Sequence, residues 1–313
     1  MLEDLAYKLV KATESTAFAT YKLLGFGDEK RVDQIAVDVM RTVLNSMEIS
    51  GRIVIGEGER DEAPMLCIGE KVGTGRGPEI DIAVDPIEGT TACAHYKQGA
   101  MSVIAATKMG SFLYAPDVYM EKIAIGKNIP EGVITLKNSV EENLSNLIQL
   151  KGCRISDLIV TILRRKRHEE LIARIRGLGA KVKLIDDGDI AAVVSLVNSN
   201  CDMYIGIGGA PEGVLAAAAL NSINGKMEGK LIFDTDQLKE KAKSLDISDL
   251  EKIYTVRDMV RSESVFIATG ITDGELINGI SFNYNNNTYL ISSLVILPNK
   301  IMKIQTTRSL HTC

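Results

Sequence analysis

The sequence predicts an α/β protein built in two lobes, and three observations carry that prediction. At 313 residues the chain can bury one large core or two lobes that share an interface. From about Lys137 onward, amphipathic stretches alternate with short β-branched runs, the pattern of strands joined through helices into a parallel sheet. Before that point the short apolar runs end in acids and glycines, so chemistry collects at strand ends. The expected division is an N-terminal lobe over residues 1–136 with a carboxylate metal site and a C-terminal α/β lobe over 137–313.

Leu5, Leu9, Ala12 and Thr16 share one face of a helix predicted over Leu2 to Leu24, stopped by Gly25-Phe26-Gly27. A second helix follows Asp28 and runs to about Met47, with Asp33 near its first turn, where a negative charge suits the helix dipole. Arg52 to Ile55 reads as a strand and leads into Gly56-Glu57-Gly58-Glu59-Arg60-Asp61-Glu62. Acids this dense repel one another unless cations or water neutralise them, so the segment is either a solvated turn or part of a cation site. Leu66 to Val72 and Met101 to Lys108 are further predicted strands.

Ile80-Asp81-Ile82-Ala83-Val84-Asp85-Pro86-Ile87-Glu88-Gly89-Thr90 is the most informative stretch. Ile80, Ile82 and Val84 predict a buried strand that ends at Asp85, which Pro86 biases toward an extended conformation. Glu88 follows three residues on, and Gly89 lets the backbone approach a ligand. Carboxylate and hydroxyl oxygens are the donors that hard divalent ions take. Taken alone, these residues fit an ordinary strand and Asp-Pro turn equally well. With Glu57 and Asp61 at another strand end they make a candidate two-metal cage.

Ala115 to Lys122 is read as a polar break carrying Tyr119, a side chain that either packs or bonds a phosphate. In the second lobe, helices are expected over Ser139 to Leu150, His168 to Leu178 and Asp189 to Val197. Strands are expected over Leu158 to Leu163, Ala180 to Ile185 and Met203 to Ile207. Three of these strand ends are polar. Arg164-Arg165-Lys166-Arg167-His168 offers guanidinium forks suited to phosphate oxygens, and Asp186-Asp187-Gly188-Asp189 can cap a helix or accept from sugar hydroxyls. Gly208-Gly209-Ala210-Pro211-Glu212 opens an Ala-rich helix in the manner of an anion-binding entrance. Later elements are a helix over Leu238 to Ala242 and strands over Val265 to Thr269 and Tyr289 to Leu297.

Composition narrows the class. The net charge of −5 means that an anionic substrate must be drawn by a local basic patch, and it argues against a nucleic-acid partner. No apolar run approaches the roughly 20 residues of a membrane span. The start, Met1-Leu2-Glu3-Asp4-Leu5, lacks the basic and apolar regions of a signal peptide, so a cytoplasmic location is expected. The five cysteines are scattered and form no Cys-x-x-Cys pair, which favours reduced packing residues over disulfides or zinc. Neither nucleotide glycine motif is present, which weakens a nucleotide-binding reading.

The segments IGEGERDEAPML, GPEIDIAVDPIEGT, APDVYMEK, GDIAAV, IGIGGAPEGVLAAAAL and ATGITDGEL together resemble class II fructose-1,6-bisphosphatases, the bacterial branch of the lithium-sensitive sugar phosphatases. The likeness runs in order from about Asp33 to Gly274. It implies a layered α-β-α-β-α sandwich with the active site between two lobes. It also implies hydrolysis of the 1-phosphate of fructose 1,6-bisphosphate, two or more Mn2+ or Mg2+ ions, and a homodimer or homotetramer. By matching motif, Asp33, Glu57, Asp85, Glu88 and Glu212 would be metal ligands, and Asp61 and Thr90 the pair that orients and deprotonates the attacking oxygen. Glu88, Gly89, Thr90, Tyr119, Arg165, Lys166, Arg167, Asp187, Gly188, Asp189 and Gly209 would hold the sugar phosphate. Two positions depart from the family pattern: Thr91 replaces a longer polar side chain, and Lys166 replaces a proline between the arginines. Both bear on substrate grip more than on chemistry. The competing expectations are a phosphatase for sedoheptulose 1,7-bisphosphate or inositol phosphate, and a catalytically silent sugar-phosphate sensor.

Overall fold

The computed structural model describes residues 2–56, 66–127, 129–198, 201–244 and 247–309. The chain opens with α1 (Leu2–Tyr21), α2 (Glu29–Asn45), β1 (Ser50–Ile55), β2 (Lys71–Val72), β3 (Glu79–Glu88), α3 (Thr90–Ala94) and β4 (Met101–Lys108). It continues with β5 (Tyr119–Ile125), α4 (Val140–Lys151), β6 (Ile159–Leu163), α5 (Glu169–Gly177), β7 (Lys181–Ile185), α6 (Asp189–Ser195) and β8 (Met203–Gly209). Next come α7 (Ala210–Ser222), β9 (Lys226–Ile232), α8 (Asp236–Ser244), β10 (Ile253–Thr255) and α9 (Val256–Met259). The last elements are β11 (Ser264–Gly270), β12 (Ser281–Asn283), β13 (Thr288–Leu297) and β14 (Lys300–Ser309).

Packing divides the chain into two compact units, at Phe112 and again at Arg261. The single expected boundary near residue 136 therefore does not describe the packing. Residues from Leu113 onward belong to the second unit because β5 pairs with β8 and β9, and the last strands return to the first unit because β11 pairs with β4.

In the first unit the strand order is β12-β13-β11-β4-β3-β1-β2, with β14 on β13. Apolar residues of β3 and β4, among them Ile80, Ile82, Val84 and Ile104, pack with Leu5 and Leu9 of α1 and Met40 and Leu44 of α2. Burial of each such side chain stabilises the fold by about 1.5–3 kcal/mol. Asp28 sets the start of α2 by accepting from the Arg31 N–H at 3.0 Å. β3 does not end at Asp85 as expected. It continues to Glu88 through a bulge in which three steps from Asp85 to Glu88 oppose two steps from Val103 to Met101. A bulge is one of the few places where a strand tolerates proline, because Pro86 has no N–H to donate to the ladder.

In the second unit the order is β10-β9-β5-β8-β6-β7. β6 runs parallel to β7 and β8, as the alternating helices predict, but β5 is antiparallel to both of its neighbours, β8 and β9, and the sheet is mixed. β5 follows a loop from the first unit and has no crossover helix before it, so nothing obliges it to run parallel. A capping box of Ser139 and Glu142 starts α4, and Gly152 in the left-handed region ends it. Among the described residues no helix is long and apolar enough to cross a membrane.

Candidate active site

The first unit gathers its acids around the bulge of β3. The Asp85 Oδ1 accepts from the Ile87 N–H at 3.1 Å, so the carboxylate is turned back over the proline corner. Glu88 is buried at the strand's last position. Gly89 sits at φ +85° ahead of the five-residue helix α3, a conformation that side-chain-bearing residues rarely adopt. Thr90 is thereby presented to α2, and its Oγ1 donates to Asp33 Oδ1 at 2.6 Å with the Ile87 carbonyl at 3.3 Å. Burial pushes the Asp33 carboxyl above the ordinary carboxylate range; the Thr90 hydrogen bond opposes this and the charge of Glu29 adds to it. The Thr90 partner is thus Asp33, while Glu57 and Asp61 lie outside the described residues.

The second unit contributes the ends of β5, β6, β7 and β8. Tyr119 and Gly209 are opposite each other in register. The Arg167 guanidinium lies over the Tyr119 ring, 4.6 Å from its centroid, and donates to the Ile207 carbonyl through Nε at 3.2 Å and Nη2 at 2.8 Å. Arg165 Nη1 donates to the Asp186 carbonyl at 2.5 Å, and its Nη2 lies 3.8 Å from Asp187. Arg164 pairs with Asp186 at 3.1 Å, and Lys166 is exposed. Burial raises the Asp187 carboxyl, and Arg165 acts in the opposite sense. Gly188 takes the left-handed conformation that starts α6 at Asp189.

Two residues of this unit were not assigned a role from sequence. β6 and β8 pair only at Val160 with Met203 and Thr161 with Tyr204, and beyond that they separate. His168 closes the gap: its Nδ1 donates to the Leu163 carbonyl and its Nε2 accepts from the Ile207 N–H, both at 2.8 Å. The one backbone N–H thus fixes which ring nitrogen carries the proton. The only sequence signal was a histidine ending a run of cations.

The other is Lys122, 1% exposed, whose Nζ donates to Asp189 Oδ2 at 2.5 Å and to the Gly209 carbonyl at 2.7 Å. Asp189 is therefore buried and turned inward. Glu212, in the first turn of α7, folds its carboxylate back over Gly209, where any Cβ would overlap it, and its Oε2 is buried with no hydrogen-bond partner. Burial raises the Glu212 carboxyl first, the charge of Asp189 adds to this, and Lys122 opposes it. The glycines of this turn thus have a steric reason beyond opening an anion entrance. The lysine's signal was hidden because its segment reads as a polar break, whereas Tyr119–Ile125 is a strand with Lys122 on its inner side.

The carboxylates and hydroxyl at the strand ends of the first unit are oxygen donors suited to a divalent cation, and the guanidinium groups at those of the second are donors suited to phosphate. Residues 3–311 match the family described as bacterial fructose-1,6-bisphosphatase, glpX-encoded, and the chain belongs to the class II fructose-1,6-bisphosphatases. It is 43% identical to fructose-1,6-bisphosphatase 1 class 2 of Escherichia coli K12, over 99% of this chain and 96% of that protein. It is 41% identical to the D-fructose 1,6-bisphosphatase class 2/sedoheptulose 1,7-bisphosphatase of Prochlorococcus marinus MIT 9301, over 95% of this chain and 93% of that protein. A solved structure of the extragenic suppressor protein suhB from Bartonella henselae aligns at 12% identity over 61% of this chain and 73% of its own, with a TM-score of 0.36, too slight a likeness to bear on the fold.

Membership of this family implies a divalent cation. The residues fit one in their chemistry: Asp33, Asp85, Glu88 and Glu212 are hard oxygen donors, and the Glu212 Oε2 is a buried acceptor without a hydrogen-bond donor. Among the described residues, however, no three His, Cys, Asp or Glu side chains are gathered as a metal site.

Proposed function

We propose that this protein is a metal-dependent phosphatase that hydrolyses the 1-phosphate of fructose 1,6-bisphosphate to fructose 6-phosphate and inorganic phosphate, a step of gluconeogenesis. The observation that carries the reading is the end-to-end family match over residues 3–311, in a chain whose Asp85-Pro86-Ile87-Glu88-Gly89-Thr90 turn carries two acids and a hydroxyl. Asp33, Glu57, Asp85, Glu88 and Glu212 would hold two or more Mn2+ or Mg2+ ions. Such ions neutralise phosphoryl oxygens and lower the pKa of water.

The remaining steps belong to side chains. Asp61 takes the proton of the attacking water, working with Thr90, whose hydroxyl is aligned by Asp33 at 2.6 Å. The new P–O bond forms as the bond from phosphorus to the C1 oxygen breaks, and that oxygen takes a proton from solvent water to leave as the C1 hydroxyl of fructose 6-phosphate. Arg165, Lys166 and Arg167 grip the second phosphate with Tyr119, and Asp187, Gly188, Asp189 and Gly209 set the sugar. Holding the remote phosphate turns its binding energy into orientation of the reacting one. Arg167 is prepared for this, since its guanidinium is already fixed on the Ile207 carbonyl and the Tyr119 ring.

The dual name of the Prochlorococcus relative supports a second reading, activity on sedoheptulose 1,7-bisphosphate as well. Asp85→Asn and Glu57→Gln, purified and folded, should each abolish phosphate release at saturating Mn2+. Near-normal turnover in either would sink the metal assignment.

A further inference from the structure

We propose that Lys122 is a positioning residue for the reaction, holding the turn from β8 into α7 so that the Glu212 carboxylate is presented to a divalent cation. The inference rests on the metal-dependent reading above and adds to it a residue that does not touch the substrate.

A lysine buried to 1% exposure loses its hydration, and that penalty is several kcal/mol unless partners replace the water. Its neighbour on the same strand, Met120, is fully buried and shows that an apolar side chain of similar length packs in this layer. The ammonium therefore does something that a methionine would not.

Its partners show what. The peptide between Gly209 and Ala210 is held at both ends: its carbonyl accepts from Lys122 Nζ at 2.7 Å, and its N–H donates to the Val118 carbonyl at 2.8 Å. That peptide is the first of α7, and Glu212 follows in the same turn. Rotation of the peptide would carry the Glu212 carboxylate with it.

The space around the pair is fitted to it. A Cβ at Gly208 would overlap the Asp189 carboxylate and come within 3.0 Å of Lys122 Nζ, and one at Gly213 would lie 3.5 Å from Lys122 Cδ. Asp189 pairs with the ammonium at 2.5 Å, so Lys122 acts on Glu212 with a reduced rather than a full positive charge. Lys122 and Asp189 are the buried pair, and half-buried Glu212 is the acid whose Oε2 is buried with no hydrogen-bond partner. One uncompensated carboxylate is what a cation can use.

The alternative is that Lys122 and Asp189 form only a structural ion pair tying β5 to α6. The test separates the two with Mn2+ affinity, measured by calorimetry on metal-stripped protein, and with thermal melting. Lys122→Met should lower the melting temperature, because Asp189 is left buried with only the Tyr204 hydroxyl at 3.5 Å and no counter-charge, and should weaken Mn2+ binding by about tenfold or more. Lys122→Met combined with Asp189→Leu removes both buried charges and should regain the lost stability. Positioning by Lys122 predicts that Mn2+ binding in this double variant stays at least about tenfold weak. A double variant that binds Mn2+ as wild type does, or a folded Lys122→Met that does so, would overturn the proposal. Wild-type protein that binds no Mn2+ would overturn it together with the metal-dependent reading, whereas wild-type affinity shared by all the variants overturns it alone.

Discussion

Replacing His168 by phenylalanine removes both ring nitrogens and keeps the volume of the ring, so the consequence can be worked out from two hydrogen bonds. The Ile207 N–H gives up its bond to Nε2 and is left an unsatisfied donor between separated strands, at a cost of about 1–3 kcal/mol. The Leu163 carbonyl loses Nδ1 but keeps the Arg165 N–H at 2.9 Å, so its loss is smaller, about 0.5–1.5 kcal/mol. The variant should therefore be less stable by about 1.5–4.5 kcal/mol at neutral pH, a melting shift of roughly 3–18 °C for a unit of this size.

The pH dependence adds a second, sharper check. Burial lowers the His168 pKa below its ordinary value of 6.5, and the charges of Arg167 and Arg165 act in the same direction against the Leu163 hydrogen bond. With the folded pKa depressed, the unfolded chain takes up the proton first as pH falls. The contribution is complete above 6.5 and is lost as pH falls through the folded pKa. The gap between wild type and His168→Phe should thus be widest above 6.5 and should narrow as pH falls below it, because the variant has no proton to bind. Denaturant midpoints at a series of pH values read this directly. Equal stability at neutral pH, or a gap that does not change with pH, would refute the bridging role of the neutral ring.

Gly209→Ala places a methyl group where the Glu212 carboxylate lies, and that carboxylate is the far end of a flexible side chain. The fold should survive with less than about 1 kcal/mol lost, while Mn2+ affinity and turnover should fall about 10–100-fold. Titration calorimetry beside a melting curve separates the two. Asp81→Ala has the reverse signature. Asp81 is fully buried in β3 and accepts from Arg52 and from the N–H groups of Gly110 at 2.6 Å and Ser111 at 3.1 Å. Its loss should destabilise the protein by about 3–5 kcal/mol with little change in KM of the folded fraction.

The motif from Asp85 to Thr90 was legible because acid, proline and glycine each have few structural uses, and the alternation around Ile80, Ile82 and Val84 located its strand. The bulge was not legible: Pro86 reads as a stop, and only pairing with β4 shows how the strand passes it. β9 and β14 were missed although polar and apolar residues alternate along β9, because Gly229 stands at one of its inward positions and Thr306 at one of β14. The expected strand over Leu66 to Val72 is reduced to Lys71–Val72, since Leu66 takes a positive φ of 53° and the residues between turn rather than extend. Lys122 could not be found from sequence, because a buried charge is recognised only by its partners. Asp189 and Gly209 lie far from it in the chain.

Phosphate release by chelator-stripped protein, with fructose 1,6-bisphosphate as substrate and with Mn2+ or Mg2+ supplied or withheld, decides whether this protein is a metal-dependent bisphosphatase. Turnover should appear only when metal is added and should fall sharply on sugar monophosphates, which offer Arg165 and Arg167 no second phosphate. Turnover that persists without metal, or a folded protein that binds the bisphosphate and releases no phosphate with either ion, would contradict it.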